Sequence, residues 1–219
     1  MKMLRLFVVI HLLVFSNSLF SQQTGGIFYI SFRLDELLTN DVKVTFNDRN
    51  FFSAYAEAPI FPQDLVDSIK IAIEKKMSEK LQANVTCMYR ENKNGKLITT
   101  IGLAGELEGM PVDTKSAAIK SNERDIYVRF DVNVSSSGGY TVTLANNSKS
   151  KFKPMLSIQA SAFDASGKQI FSEKKTVKDF GQLKSIERTS ADGSVTVRKS
   201  EILYPEDIYL MFIQALSEF

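Results

Sequence analysis

Along the chain, apolar residues alternate with polar ones in some stretches and recur every four residues in others. In IFYISFRL, residues 27–34, Phe28, Ile30, Phe32 and Leu34 fall at every second position, which predicts a strand with one buried face. DVKVTFND repeats this with Val42, Val44 and Phe46. The period then lengthens. Across FPQDLVDSIKIAIEKKMSEKLQ, Leu65, Ile69, Ile73, Met77 and Leu81 recur every four residues, while Lys70, Glu74, Lys75, Glu79 and Lys80 take the other side. That is an amphipathic helix. Pro62 suits its first turn, and Asp64 and Asp67 suit the positive end of its dipole.

Further on, NVTCMYR and KLITTIGLAG flank ENKNGK, whose Asn94-Gly95 pair predicts a hairpin. A polar, glycine-containing loop follows. DIYVRFDVNV then alternates through Ile126, Val128, Phe130, Val132 and Val134. MLSIQASAFDASGKQIFSEKKTV reads as two strands about Asp164-Ala-Ser-Gly167, and residues 182–200 as a shorter hairpin about Asp192-Gly193. In YPEDIYLMFIQALSEF, Pro205, Glu206 and Asp207 open a second helix whose body is mostly apolar.

This order predicts an α+β fold: a mainly antiparallel sheet with two amphipathic helices packed on one face. One domain is expected over residues 22–219, its first part, 22–61, an aromatic-rich strand segment. In element order over residues 41–219 the chain resembles the small periplasmic domains that accompany envelope transport and assembly machines, without a shared motif. The likeness is one of architecture and carries no function with it.

The first residues follow a different rule. Lys2 and Arg5 precede an apolar run over residues 6–15, broken only by His11, and small polar residues follow at Ser16, Asn17, Ser18 and Ser21. This is the layout of a secretory signal peptide, expected over residues 1–21, and its apolar run is shorter than the roughly 18 residues a membrane span needs. An exported protein, periplasmic or secreted, is expected, with no transmembrane span in the mature chain. Cleavage has two consequences. It removes His11, the only histidine, and with it Ser-His or Cys-His catalysis and histidine-ligated metals. It also removes Lys2 and Arg5 from the 27 basic residues, leaving 25 against 25 acidic ones. The precursor's pI of 8.5 is therefore no sign of a nucleic-acid partner, and none is expected.

Little chemistry remains. Cys87, the single cysteine, has no disulfide partner and falls in phase with Val85 and Tyr89 on an expected strand, the position of a small buried residue. Neither GLAGELEGMP nor SSSGGY has the spacing of a phosphate- or dinucleotide-binding loop. No catalytic, cofactor-binding or metal-binding residue is assigned and no cofactor is expected. Glu106, Glu108 and Asp113 share a loop in which oxygen ligands could gather round calcium, although their spacing fits no known calcium loop and a solvated loop is the simpler account.

Lys149, Lys151 and Lys153 in NSKSKFKP are more informative, because an extended segment would place all three on one side. Two readings are open. They guard an edge strand against unwanted pairing, or they form a ribbon that contacts an anionic envelope surface or a protein partner. The functional expectation is an exported, non-enzymatic protein that acts by binding, as an accessory or assembly component. The alternative is a histidine-independent secreted hydrolase using carboxylates or a Ser-Lys pair.

Overall fold

A computed structural model describes residues 23–35, 38, 42–47, 51–55, 61–101, 106–144, 147–180, 183–189, 195–199 and 203–219. The expected signal peptide, with His11, and the Asp192-Gly193 turn lie outside these residues. In chain order the elements are β1 (Thr24–Leu34), β2 (Val42–Asn47), β3 (Phe51–Tyr55), α1 (Gln63–Leu81), β4 (Asn84–Cys87) and α2 (Lys115–Ser121). They continue with β5 (Ile126–Leu144), β6 (Asn147–Asp164), β7 (Gln169–Val177), β8 (Leu183–Thr189), β9 (Val195–Lys199) and α3 (Pro205–Glu218).

The fold is α+β, but its sheet is mixed. β1 runs parallel to both β4 and β5, whereas the other pairs are antiparallel. Two-residue periodicity carries no direction, so the pattern of β1 could not show this. The parallel β1–β4 pair needs a crossover, and α1 supplies it.

The strands follow the order β3-β2-β9-β8-β6-β5-β1-β4, and β7 also pairs with β6. Along one side of β6, residues 156–163 pair with β7 and residues 147–152 with β8. The long β5–β6 hairpin therefore serves two halves of the sheet. The near half is β4-β1-β5-β6-β7; the far half is β5-β6-β8-β9-β2-β3.

Helices α1 and α3 cover one face of the near half. Ile69, Ile73 and Met77 of α1 and Ile208 and Phe212 of α3 join Ile30, Phe32, Phe130, Val132, Leu156 and Ile158 in one buried core. The Phe32 and Phe212 rings meet edge to face with centroids 5.6 Å apart. Lys80 of α1 pairs with Glu173 of β7 at 2.9 Å, and Lys175 of β7 with Glu218 of α3 at 3.1 Å, so both helices are tied to the β7 margin.

On the opposite face the short α2 packs Ala118 against Phe28 and Tyr127. The sequence pattern gave only a loop here. Seven residues are too few for a helical period to stand out, and Thr114, whose side chain accepts from the Ala117 N–H, is the main local signal. A bulge between Ile27 and Tyr29 also corrects the phase of β1. It sends Phe28 to the α2 side while Ile30, Phe32 and Leu34 stay under α1 and α3.

The expected hairpin at Asn94-Gly95 is present but short, with no extended strand beyond it. Asn92 Oδ1 accepts from the N–H groups of Asn94 and Lys96, and across the turn the Asn92 N–H donates to the Lys96 carbonyl at 2.8 Å and the Ile98 N–H to the Arg90 carbonyl at 2.7 Å, about the bridge Glu91–Leu97. The cause lies on β1. The 106–112 segment bridges Tyr29 and Arg33, so β4, paired to β1 over Thr24–Ile27, has no further β1 edge along which to lengthen.

Candidate functional site

β6 carries the three lysines singled out from the sequence. Its near half places Leu156, Ile158, Ala160 and Ala162 in the core beneath the helices, so odd-numbered β6 positions belong to the opposite face. Positions 149, 151 and 153 share that odd parity. Position 149 stands opposite Val142 on β5 and Ile186 on β8; position 151 stands opposite Tyr140 and Lys184. The edge-strand reading is thereby corrected, because this stretch of β6 has a partner on each side. Alternating lysines are compatible with any strand that has one solvated face, and the period could not reveal that residues 183–189 supply the second neighbour. Lys153, the one of the three whose side chain is described, is half-buried.

Towards the near half, the same face has its charges matched internally. Arg129 holds Asp131 in a two-pronged ion pair, at 2.8 Å from Nε and 3.0 Å from Nη2. Its guanidinium lies 4.8 Å from the Tyr29 ring centroid. The hydrogen bonds to Asp131 raise the Arg129 pKa further above its ordinary value, making this a permanent charge pair rather than a proton donor. Lys115 of α2 sits over the Phe163 ring at 4.6 Å.

The other candidates from the sequence resolve differently. Glu106 pairs with Arg33 at 3.0 Å; Asp113 pairs with Arg90 at 3.2 Å and accepts the Thr114 N–H at 2.8 Å. Glu108 is exposed. Two of the three carboxylates considered for calcium are thus engaged by separate guanidinium groups, and no cluster of three metal-ligating side chains occurs among the described residues.

Cys87 ends β4, half-buried, and its N–H donates to Glu74 Oε1 at 2.6 Å. Burial, and then the negative charge of Glu74, push the thiol well above its ordinary pKa. Such a thiol is a poor nucleophile, because the thiolate is the reactive form. Among the described residues no helix is long and apolar enough to cross a membrane.

No protein-family model matches the chain. No curated protein matches it. Among solved structures it is similar to a protein from Helicobacter pylori described as a neuraminyllactose-binding hemagglutinin homolog, at 10% identity over 90% of this chain and 80% of that one, with a TM-score of 0.34. It is also similar to a hypothetical protein from Chlamydia trachomatis, at 9% identity over 90% of this chain and 95% of that one, with a TM-score of 0.28.

Proposed function

We propose that this is an exported, non-enzymatic protein of the periplasm or extracellular space that acts by binding, as an accessory or assembly component of an envelope, with Lys149, Lys151 and Lys153 on its contact surface. One observation supports the reading. The stretch of β6 holding positions 149 and 151 is paired to β5 and β8, so guarding a free strand edge does not account for Lys149 and Lys151. Three same-parity lysines on an interior strand make a row of positive charge suited to an anionic partner.

The test compares wild type with the triple variant Lys149→Gln, Lys151→Gln, Lys153→Gln for retention on anionic vesicles and on an immobilised acidic polypeptide. The wild type should be retained at low salt and released at high salt, and the variant should be lost from the support that holds the wild type. Equal retention of the two proteins would remove the lysine row from the function. N-terminal sequencing of exported material should give a start between Asn17 and Gln23; a start at Met1 would overturn export with cleavage.

A further inference from the structure

The far half of the sheet assembles strands distant in sequence, and their registers can be followed from one ladder to the next. Directly opposed positions in an antiparallel ladder lie on the same face. Starting from position 149, the chain of pairs runs to Ile186 on β8 and to Arg198 on β9. Position 151 stands opposite Lys184. Asn147 stands opposite Arg188, Arg188 opposite Thr196, and Thr196 opposite Lys43 on β2. Six basic positions from four strands therefore share one face: Lys43, Lys149, Lys151, Lys184, Arg188 and Arg198.

No acidic residue falls on this face among the described far-half positions. Glu187, the one acidic residue in the described parts of β2, β3, β6, β8 and β9 that pair here, has the opposite parity, opposite Ser148 and Val197. The protein as a whole has no such bias, since 25 acidic residues accompany its 27 basic ones. The asymmetry is created by strand pairing.

We infer that this six-residue basic face of the far half docks onto the phosphate-bearing headgroups of an anionic lipid surface, a reading that rests on the lysine row of β6 and extends it across β8, β9 and β2. The geometry favours a planar partner over a linear one. With strands ~4.8 Å apart and same-face residues ~6.8 Å apart along each strand, the six positions span a patch ~14 Å across and ~14 Å along. These spacings are comparable to the Debye length of about 8–10 Å, so the charges act on an approaching surface together. An acidic peptide strand could follow one row of the patch, whereas a headgroup plane meets all rows at once. Lys151 and Lys184 are moreover like charges at directly opposed positions, an arrangement that costs the free sheet stability and that an anionic surface would relieve.

Flotation with vesicles of phosphatidylcholine alone, and of phosphatidylcholine mixed equally with phosphatidylglycerol, tests the assignment. Wild type should float only with the mixed vesicles and lose them at high salt. The quadruple variant Lys43→Gln, Arg188→Gln, Lys184→Gln, Arg198→Gln leaves the β6 lysines intact and should bind the mixed vesicles about 600-fold more weakly, at about fivefold per charge removed. Lys199→Gln, whose position belongs to the other face by register opposite Ser185, should bind as wild type does. If circular dichroism shows the quadruple variant unfolded, Lys184→Gln and Arg198→Gln are measured singly, each expected to weaken binding about fivefold. Wild-type binding by these variants, with loss only in the β6 triple variant, overturns the extended face and leaves the lysine row standing. Retention of wild type on acidic polypeptide but not on either vesicle overturns the lipid assignment alone.

Discussion

At the scale of single residues, the groups that look reactive in the sequence are held in unreactive settings. Cys87 should label slowly with thiol reagents in the native protein and fast once it unfolds, because burial and the Glu74 carboxylate both oppose the thiolate. Cys87→Ala should cost about 1 kcal/mol of packing, read from denaturant midpoints. Asp125 and Asp164 behave in the opposite sense. Asp125 accepts from the Thr24 N–H at 2.8 Å and from its hydroxyl at 3.0 Å, and Asp164 from the Ser166 hydroxyl at 2.6 Å and two further N–H groups. These bonds hold both carboxyls below their ordinary value of 3.8. The folded state therefore binds these protons more weakly than the unfolded state does. The stability they contribute is present above pH 3.8 and is lost as pH falls through the lowered folded values. Urea midpoints measured from neutral to acid pH should fall more gently for Asp125→Asn than for wild type, and an unchanged acid limb would remove Asp125 from this account. The candidate carboxylates for calcium were legible in the sequence as acidic residues in a loop. Their ion pairs were not, since Arg33 and Arg90 lie far from Glu106 and Asp113 along the chain.

Among the elements, those with a long internal period were readable. Ile69, Ile73 and Met77 mark the buried stripe of α1, with Val66 replacing the more exposed Leu65 at its start. Asp164 and Gly167 mark the turn between β6 and β7, Gly167 at a φ of +83°. β1 was only half readable, because its bulge and its parallel partners are set by what packs beside it. Its glycines show how tight that environment is. A Cβ on Gly25 would come within 2.8 Å of Val85 Cγ2, on a short, buried side chain, and one on Gly26 within 2.6 Å of the Met88 sulfur. Val85 has no flexible stem with which to move away. Gly25→Ala should accordingly cost about 1–3 kcal/mol, and Gly26→Ala should cost less as Met88 swings aside. Thermal melts of the two variants check the order; an equal or larger loss for Gly26→Ala would show that Arg124, 3.0 Å from the same point, is the stiffer neighbour.

For the molecule as a whole, the two halves of the sheet differ in support. Helix α3 packs on β6 and β7, and α1 on β4 and on α3, all belonging to the near half. Amides of residues 126–134 and 156–162 lie beneath this layer and should exchange with solvent only through global unfolding. Amides of β2, β3, β8 and β9 should exchange through a less costly opening, which hydrogen-exchange mass spectrometry would resolve as two classes of protection. Uniform protection would mean that the sheet opens as one unit. The basic face belongs to this same scale. Lys149, Lys151 and Lys153 could be found by spacing because they share one strand. Lys43, Lys184, Arg188 and Arg198 could not, because only the ladders bring them into one patch.

The junction between the halves lies in β5, where the ladder to β6 shifts register between Ser136 and Gly139. Residues 137 and 138 hold one more residue than the opposing strand needs, so an even-numbered position of β5 faces the helices before the junction and an odd-numbered one after it. This is the place where β5 can change length by one residue and keep both faces as they are. Loss of a residue farther along the strand would turn every later position of β5 over to the other side. Removing Gly138 would restore straight alternation and reduce the local bend and twist that the extra residue introduces. The composition of the basic face would be untouched, and only the angle at which it is presented relative to the helices would change. In the history of such a chain, small length changes at this junction offer a way to re-aim a surface without altering any residue on it.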